Sequence, residues 1–397
     1  MAKSMYEELG VDSMKTSVRK TFGDLIDNDF PGAWCNIVRD PDYPGMVFTQ
    51  HNDGDGSKFV QRILILKETG DMSVIGGAVD DALQMNLGDI AASGFVDGKI
   101  VVTDVIDING FEVPKDDVMD EIKIRFSELK ELYRKRGFNF YVLGGETADL
   151  PDQVRSIVFN MCVYARAREE DIISGNIRPG DVIYGFASDG RAKWEKGNYN
   201  FGIGSNGFTL ARVKSMWSGY TKKYPELIRR GGRYEGEYKV DQKYFELPDP
   251  NFFNISRALI SPTRQWSILI RMIIREFKAR GIFDKLHGIS FNTGGGAVKI
   301  KHLGTGGIKY KKNMPTPSLL FQRLKELSGE SWENMFTTFN CGIGIDVVGE
   351  PCREFVKALN AVSIDSGVHQ CPIGYCEESG SSENEVELST DYGNFKY

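Results

Sequence analysis

Residues 51 to 58 read HNDGDGSK, placing two aspartates, two glycines and a lysine within eight positions directly after the apolar GMVFT. Carboxylates at that density can hold a hard cation, and a lysine among glycines can meet a phosphate as a point charge. Asp and Gly also form ordinary solvated turns. Two sharper readings fail on spacing. A calcium loop starting at Asp53 requires Gly at its sixth position and Glu at its twelfth, where Lys58 and Leu64 stand. A Walker loop requires Gly-Lys-Ser/Thr, whereas the order here is Gly-Ser-Lys. A Gly-flanked acidic turn at a strand end remains.

Acidic residues recur in similar settings: Asp89 in MNLGDI, Asp104 and Asp107 in VVTDVID, Glu146 and Asp149 in GGETADLP. Carboxylates that converge at one sheet edge repel unless a divalent cation neutralises them, and an all-oxygen set suits magnesium carrying phosphates. The set jointly predicts a metal-phosphate site, although each carboxylate singly reads as a surface residue. Two glycine-rich stretches, GIGSNGFTLAR (202 to 212) and NTGGGAVKI (292 to 300), have the form that lets backbone N–H groups approach an anion. Either one alone reads first as an ordinary turn.

The elements that must carry these residues alternate. KIVVTDVIDI (99 to 108) and FNFYVLGG (138 to 145) have strand composition. Between them Val118, Ile122, Phe126, Leu129 and Tyr133 recur at helical spacing from Pro114, with Gly137 placed as the stop. RPGDVIYGF (178 to 186) opens a second unit after a Pro-Gly turn, so we place a boundary near residue 175: an N-terminal domain, 1–174, and a C-terminal α/β domain, 175–397. Residues 263 to 281 and 351 to 367 read as core helices. The charged, aromatic segment near 215–257 reads as an inserted hairpin or arm, too polar for a core, and the acidic, Ser-rich tail as a surface loop before a last strand.

Composition narrows the function classes. A chain of 397 residues with 41% hydrophobic content and a net charge of -6 fits a soluble, cytoplasmic protein of two to three domains. No apolar run approaches a membrane span, and MAKSMYEELG lacks the apolar core of a signal peptide. Six cysteines without a CxxC pair, with only four histidines, point to reduced thiols rather than a zinc cluster or disulfide framework. Mixed charges without a basic stripe disfavour nucleic acid, leaving small molecules as partners.

In order along the chain, GVD (10 to 12), NDGDGSK, MNLGDI, GGETADLP, GDVIYGFAS with SNGFTLAR, LISPTRQW, NTGGG and MFTTFNCGIGI resemble the motifs of the phosphoribosylformylglycinamidine cyclo-ligase family, the aminoimidazole ribonucleotide synthetases. The resemblance implies an α/β (α+β) architecture of two domains with mixed sheets and packed helices, and a homodimer joined through the N-terminal domains. It implies ATP and Mg2+ as cofactors and formylglycinamidine ribonucleotide as substrate, whose formyl oxygen is phosphorylated before a ring nitrogen closes the imidazole. By motif position it assigns catalytic roles to Asp53, Lys58 and Asp89. Nucleotide contacts fall to Asp104, Gly144, Gly145, Glu146 and Thr147, and substrate contacts to Ser205, Asn206, Thr293, Gly294 and Gly295. Asp53, Asp89 and Glu146 become the metal ligands. The strands 46 to 50 and 99 to 108 are apolar enough to need cover on both faces, in keeping with the dimer.

The chain also departs from the family pattern. Many relatives carry histidine just before SNG and another before TGGG, where this chain has Gly204 and Phe291. His51, beside Asp53, is the better compensating polar group; His287 is the other histidine near a motif. Cys35 and Cys341 read as packing residues. Two alternatives stay open: another ATP-using member of the superfamily, of the small-molecule kinase or selenophosphate synthetase type, and a non-catalytic nucleotide-binding paralogue.

Overall fold

In a computed structural model the structure describes residues 4–11, 21–197, 199–242 and 254–397. Asp12 of GVD and residues 243–253 of the inserted segment lie outside the described residues. The strands are β1 Val38–Arg39, β2 Met46–Gly54, β3 Lys99–Ile108, β4 Asn139–Asp149, β5 Ile157–Arg168, β6 Val182–Ala187, β7 Leu286–Phe291, β8 Ile308–Asn313, β9 Ile343–Gly349, β10 Gln370–Glu378, β11 Glu385–Thr390 and β12 Gly393–Lys396. They form a five-stranded sheet, β1-β2-β5-β3-β4, and a seven-stranded sheet, β12-β11-β8-β10-β6-β9-β7. Both sheets are mixed: β3–β4 and β8–β11 are parallel pairs and the remaining pairs antiparallel. The first sheet closes with β5 at Arg168 and the second opens with β6 at Val182, and residue 175 lies between them.

The β3–β4 crossover is the Lys115–Lys135 helix, which buries Val118, Ile122, Leu129 and Tyr133, the face set out by the sequence spacing. Pro114 caps it, a position where its missing N–H costs nothing. Strand β5 alternates inward and outward along its length: Ile157, Phe159, Met161, Val163 and Ala165 are buried under the helices, while Val158 is exposed. The inward face of β3 (Ile100, Val102, Ile106, Ile108) is covered in the same way. The outward face is open: Val105, Tyr141, Leu143 and Val158 are exposed along β3, β4 and β5.

The Gly77–Ala92 helix joins the halves. Nearly all of its residues are buried, because it packs on β2 and β5 and also on the Trp266–Ala279 helix and β7 of the second half. In the second sheet β7 and β9 are buried along their whole length, as expected of strands covered on both faces. The inserted segment differs from the expected hairpin. Its described part makes isolated parallel bridges, Met216 to Tyr238 and Trp217 to Gly236. It also buries Tyr220, Tyr234 and Tyr238. Tyrosine reads as polar in composition yet buries an apolar ring once its hydroxyl finds a partner, which is how this segment makes a small core. The tail loop is followed by two strands, β11 and β12, rather than one. Among the described residues no helix is long and apolar enough to cross a membrane.

Candidate functional site

Strand β2 runs on through Asp53 and ends at Gly54, so the acidic pair of NDGDGSK straddles a strand end. Gly54 is required there, since a Cβ would lie 2.5 Å from the Phe159 carbonyl oxygen. His51 and Asp53 share the inward face of β2 with Val47 and Thr49, against the Gly77–Ala92 helix. From that helix Asn86 donates to the Asp53 carbonyl at 2.9 Å, and its Oδ1 lies 3.1 Å from His51 Nδ1.

One turn further along the helix stands Asp89, which the sequence placed in a turn; this is a correction. Gly88 in MNLGDI breaks no helix; it makes room for Phe291, whose ring would stand 2.5 Å from an added Cβ. Asp89 accepts from Trp34 Nε1 at 2.7 Å, and it pairs with Lys299 Nζ at 3.4 Å and His51 Nε2 at 3.5 Å. Lys299 also donates to Thr293 Oγ1 at 2.8 Å and lies over the Trp34 ring at 4.9 Å. The TGGG turn of the second half thus meets the acidic helix of the first through one lysine.

Across the first sheet, Asp53 and Asp104 are both cross-strand partners of the buried Met161, so the two carboxylates share its face. Burial pushes the Asp104 carboxyl above its ordinary value. Its β4 partner is Gly145, where a Cβ would come within 2.6 Å of the Asp104 carboxyl carbon. Glu146 pairs instead with Val105, which turns it toward the open face, and its Oε1 accepts from the Thr147 N–H at 3.0 Å. Gly144, at φ 96°, makes the bend that precedes it. The expected metal ligands Asp53, Asp89 and Glu146 are therefore distributed over a strand end, a helix and the opposite sheet face. Among the described residues no three His, Cys, Asp or Glu side chains gather as a cation site. A magnesium ion held by one or two carboxylates and completed by phosphates fits the Asp53–Asp104 row better than a three-carboxylate cage.

Lys58 does not face a cleft. It is fully buried, and its three donors go to Asp81 Oδ1 at 2.8 Å, the Gly204 carbonyl at 2.9 Å and the Ser261 carbonyl at 2.5 Å. Asp81 also accepts from the Thr263 N–H at 2.8 Å and Oγ1 at 2.6 Å, and pairs with Arg62. Burial lowers the Lys58 ammonium to about 8. Burial would raise Asp81, but the Lys58 and Arg62 charges outweigh it and leave the carboxyl below the usual range. The expected phosphate lysine is thus the centre of a buried latch between the two halves. Ser57, its neighbour, reaches Thr209 with 2.9 Å between the hydroxyl oxygens.

Ser205, Asn206, Thr293, Gly294 and Gly295 lie close to one another. Ser205 Oγ is 3.2 Å from Thr263 Oγ1, and a Cβ on Gly294 would stand 3.2 Å from Asn206 Oδ1. Gly204, Asn206, Thr293 and Asn340 line one small cavity with Phe291. Phe291 itself is buried against Gly88, which accounts physically for an apolar ring at that position. Trp34, Asn86, Lys299 and Asp81 were missed in the sequence: Trp34 and Lys299 sit inside the quoted PGAWCNI and NTGGGAVKI, but nothing local shows that both touch Asp89. Burial pushes the Cys35 thiol up to about 11 and raises Cys341 as well, so both remain protonated packing residues at neutral pH.

No family model matches the chain. It is 28% identical over 372 residues to a phosphoribosylformylglycinamidine cyclo-ligase of Pyrococcus furiosus, covering 89% of this chain and 91% of the relative. It is 27% identical over 369 residues to the protein of the same name in Saccharolobus solfataricus, covering 90% of each. Among solved structures it resembles the HypE-HypF complex (TM-score 0.53, 15% identity, covering 96% of this chain and 98% of the other). It also resembles ThiL complexed with AMPPCP and TMP (TM-score 0.51, 14% identity, covering 96% and 94%). Along nearly its whole length, then, the chain is similar to the phosphoribosylformylglycinamidine cyclo-ligases and has the aminoimidazole ribonucleotide synthetase-like fold.

Proposed function

We propose that the protein closes the imidazole ring of formylglycinamidine ribonucleotide in an ATP-dependent step of purine biosynthesis, releasing ADP and phosphate. The observation that carries this reading is extent: the similarity to cyclo-ligases spans nine-tenths of the chain, and His51 of the first half and Lys299 of the second meet at Asp89. The ThiL relative in fold is complexed with AMPPCP, which supports ATP as the phosphoryl donor. Asp53 and Asp104 would hold magnesium, which when bound neutralises phosphate charge.

The chain's own groups have distinct tasks. Asp53 and Asp104 are two strands apart, about 10 Å, a span that suits a phosphate chain with its cation. Lys299, fixed between Asp89 and Thr293, adds positive charge where the two halves meet. The formyl oxygen takes the γ-phosphoryl group; the amidine nitrogen then attacks the same carbon, the C–O bond breaks, and phosphate leaves as that nitrogen loses a proton. His51 donates its Nδ1–H to Asn86 Oδ1, which leaves Nε2 as the proton acceptor in place of the histidines absent at Gly204 and Phe291, with Asp89 stabilising the imidazolium that forms. Holding the two reacting ends together contributes several kcal/mol without covalent help from the protein.

The open apolar face of β3, β4 and β5 supports a homodimer through the N-terminal half, because a second copy covers Val105, Tyr141 and Leu143 with their own counterparts. The test of the activity is a discontinuous assay for aminoimidazole ribonucleotide. Product and ADP should form together, and only with ATP, magnesium and the formylglycinamidine substrate all present. A folded protein that makes no aminoimidazole under any magnesium or potassium condition would overturn the assignment in favour of a non-catalytic paralogue.

A further inference from the structure

The inserted segment builds a cavity that the cyclo-ligase reading leaves unused. Its sequence LIRRGGRY puts three arginines around two glycines. The chain turns tightly there, with the Gly232 N–H bonded to the Arg229 carbonyl at 2.8 Å and Gly231 in the left-handed region at φ 73°. Gly232 is also needed for space, since a Cβ would stand 2.6 Å from Arg229 Cγ. Both ends of this turn are anchored on Arg212 from the Phe208–Ser215 helix, which donates to the Leu227 carbonyl at 2.9 Å and the Tyr234 hydroxyl at 2.7 Å. Arg155 of the first half fixes the same loop through the Ile228 carbonyl.

Beneath the turn lies a cavity of about 430 Å³ lined by Arg212, Arg229, Arg233 and Glu235, with Leu9 and Val11 supplying an apolar side. Its charge is unbalanced. Glu235 is held by Lys214 at 2.6 Å and stands 3.9 Å from Arg233. The Arg229 guanidinium makes no ion pair or hydrogen bond among the described residues. Arg212 is 5% exposed, and its Nε has no partner. Thr209, in the same wall, touches Ser57 of the NDGDGSK turn, so the cavity begins one side chain from the acidic strand end.

We propose that this cavity is a binding site for the phosphate group of a small phosphorylated metabolite, with Arg229 and Arg233 as its charged fork and the Leu9–Val11 side facing the organic portion. Guanidinium groups match phosphate oxygens in paired hydrogen bonds, and a cavity of this size takes a sugar phosphate or the phosphate end of a nucleotide. The site goes beyond the cyclo-ligase reading and does not depend on it, because it is read by equilibrium binding without turnover.

Isothermal titration of the full chain with ribose 5-phosphate and, separately, with ATP tests the site, with ribose and adenosine as unphosphorylated controls. Arg229→Ala with Arg233→Ala, both exposed and so neutral to folding, should weaken at least one phosphorylated probe tenfold or more. The probe affected identifies whether the phosphate belongs to a sugar phosphate or to the nucleoside triphosphate. Arg229→Lys with Arg233→Lys should restore part of the loss. Binding of both probes within twofold of the unaltered protein, or equal binding of the unphosphorylated controls, would overturn the proposal, as would failure of the unaltered protein to bind either probe.

Discussion

Lys58→Met separates two roles for the lysine of NDGDGSK. Removing the ammonium leaves Asp81 buried with Arg62 and Thr263 as its remaining partners, and leaves the Gly204 and Ser261 carbonyls without their donor. Breaking a buried pair from one side costs about 3–5 kcal/mol. For a cooperative unit of this length that corresponds to a fall in Tm of about 4–6 °C. Thermal unfolding followed by circular dichroism should show that fall, while the KM for ATP, measured well below the transition, stays within about threefold. The pH dependence has a definite sign. Because burial holds Lys58 at about 8 in the fold, against 10.5 for an ordinary lysine, the unfolded chain binds more protons between these values. The unaltered protein therefore gains stability relative to the variant as pH rises from about 8 to about 10.5. An unchanged Tm together with a tenfold or greater rise in the KM for ATP would refute the latch and return Lys58 to the phosphate.

Asp53→Asn should lower the ATP-dependent rate about tenfold or more with Tm nearly unchanged, the loss of a charged partner being worth about 1.5–3 kcal/mol, and a rate unchanged across a magnesium titration would show that carboxylate to be simply solvated; Asp89→Asn should lower both rate and Tm, because it weakens the pairs with Lys299 and His51. Val105→Glu or Leu143→Glu, on the open sheet face, should give monomers in sedimentation velocity, and a monomeric unaltered protein at micromolar concentration would remove the dimer. Val102→Glu is the contrasting variant: Val102 is buried under the helices, so insolubility rather than clean dissociation is expected. Gly88→Ala drives a methyl into the Phe291 ring and should cost about 1–3 kcal/mol, measured by urea unfolding, with Phe291→Leu relieving it.

Much of the fold was legible locally. Val118, Ile122, Leu129 and Tyr133 recur at helical spacing, and the strand at 99–108 has β-branched composition, because backbone geometry fixes those periods before any tertiary contact forms. The ordered motifs likewise identify the relatives, since chain order survives where identity is low. Local sequence misreads MNLGDI, because a glycine looks the same whether it bends a chain or admits a neighbouring ring; only the approach of Phe291 shows why a helix carries glycine at position 88. It also misreads Lys58, whose acceptors are 23, 146 and 203 residues away. Strand register decides that Asp53 and Asp104 share a face while Glu146 turns outward, since moving one residue along a strand reverses the side chain. Composition determines what can be buried or charged. Which carboxylate meets Lys299, and which lysine is spent inside the protein, is settled by the packing of the Gly77–Ala92 helix between two sheets, because distances of a few ångströms across hundreds of residues are a property of the assembled chain.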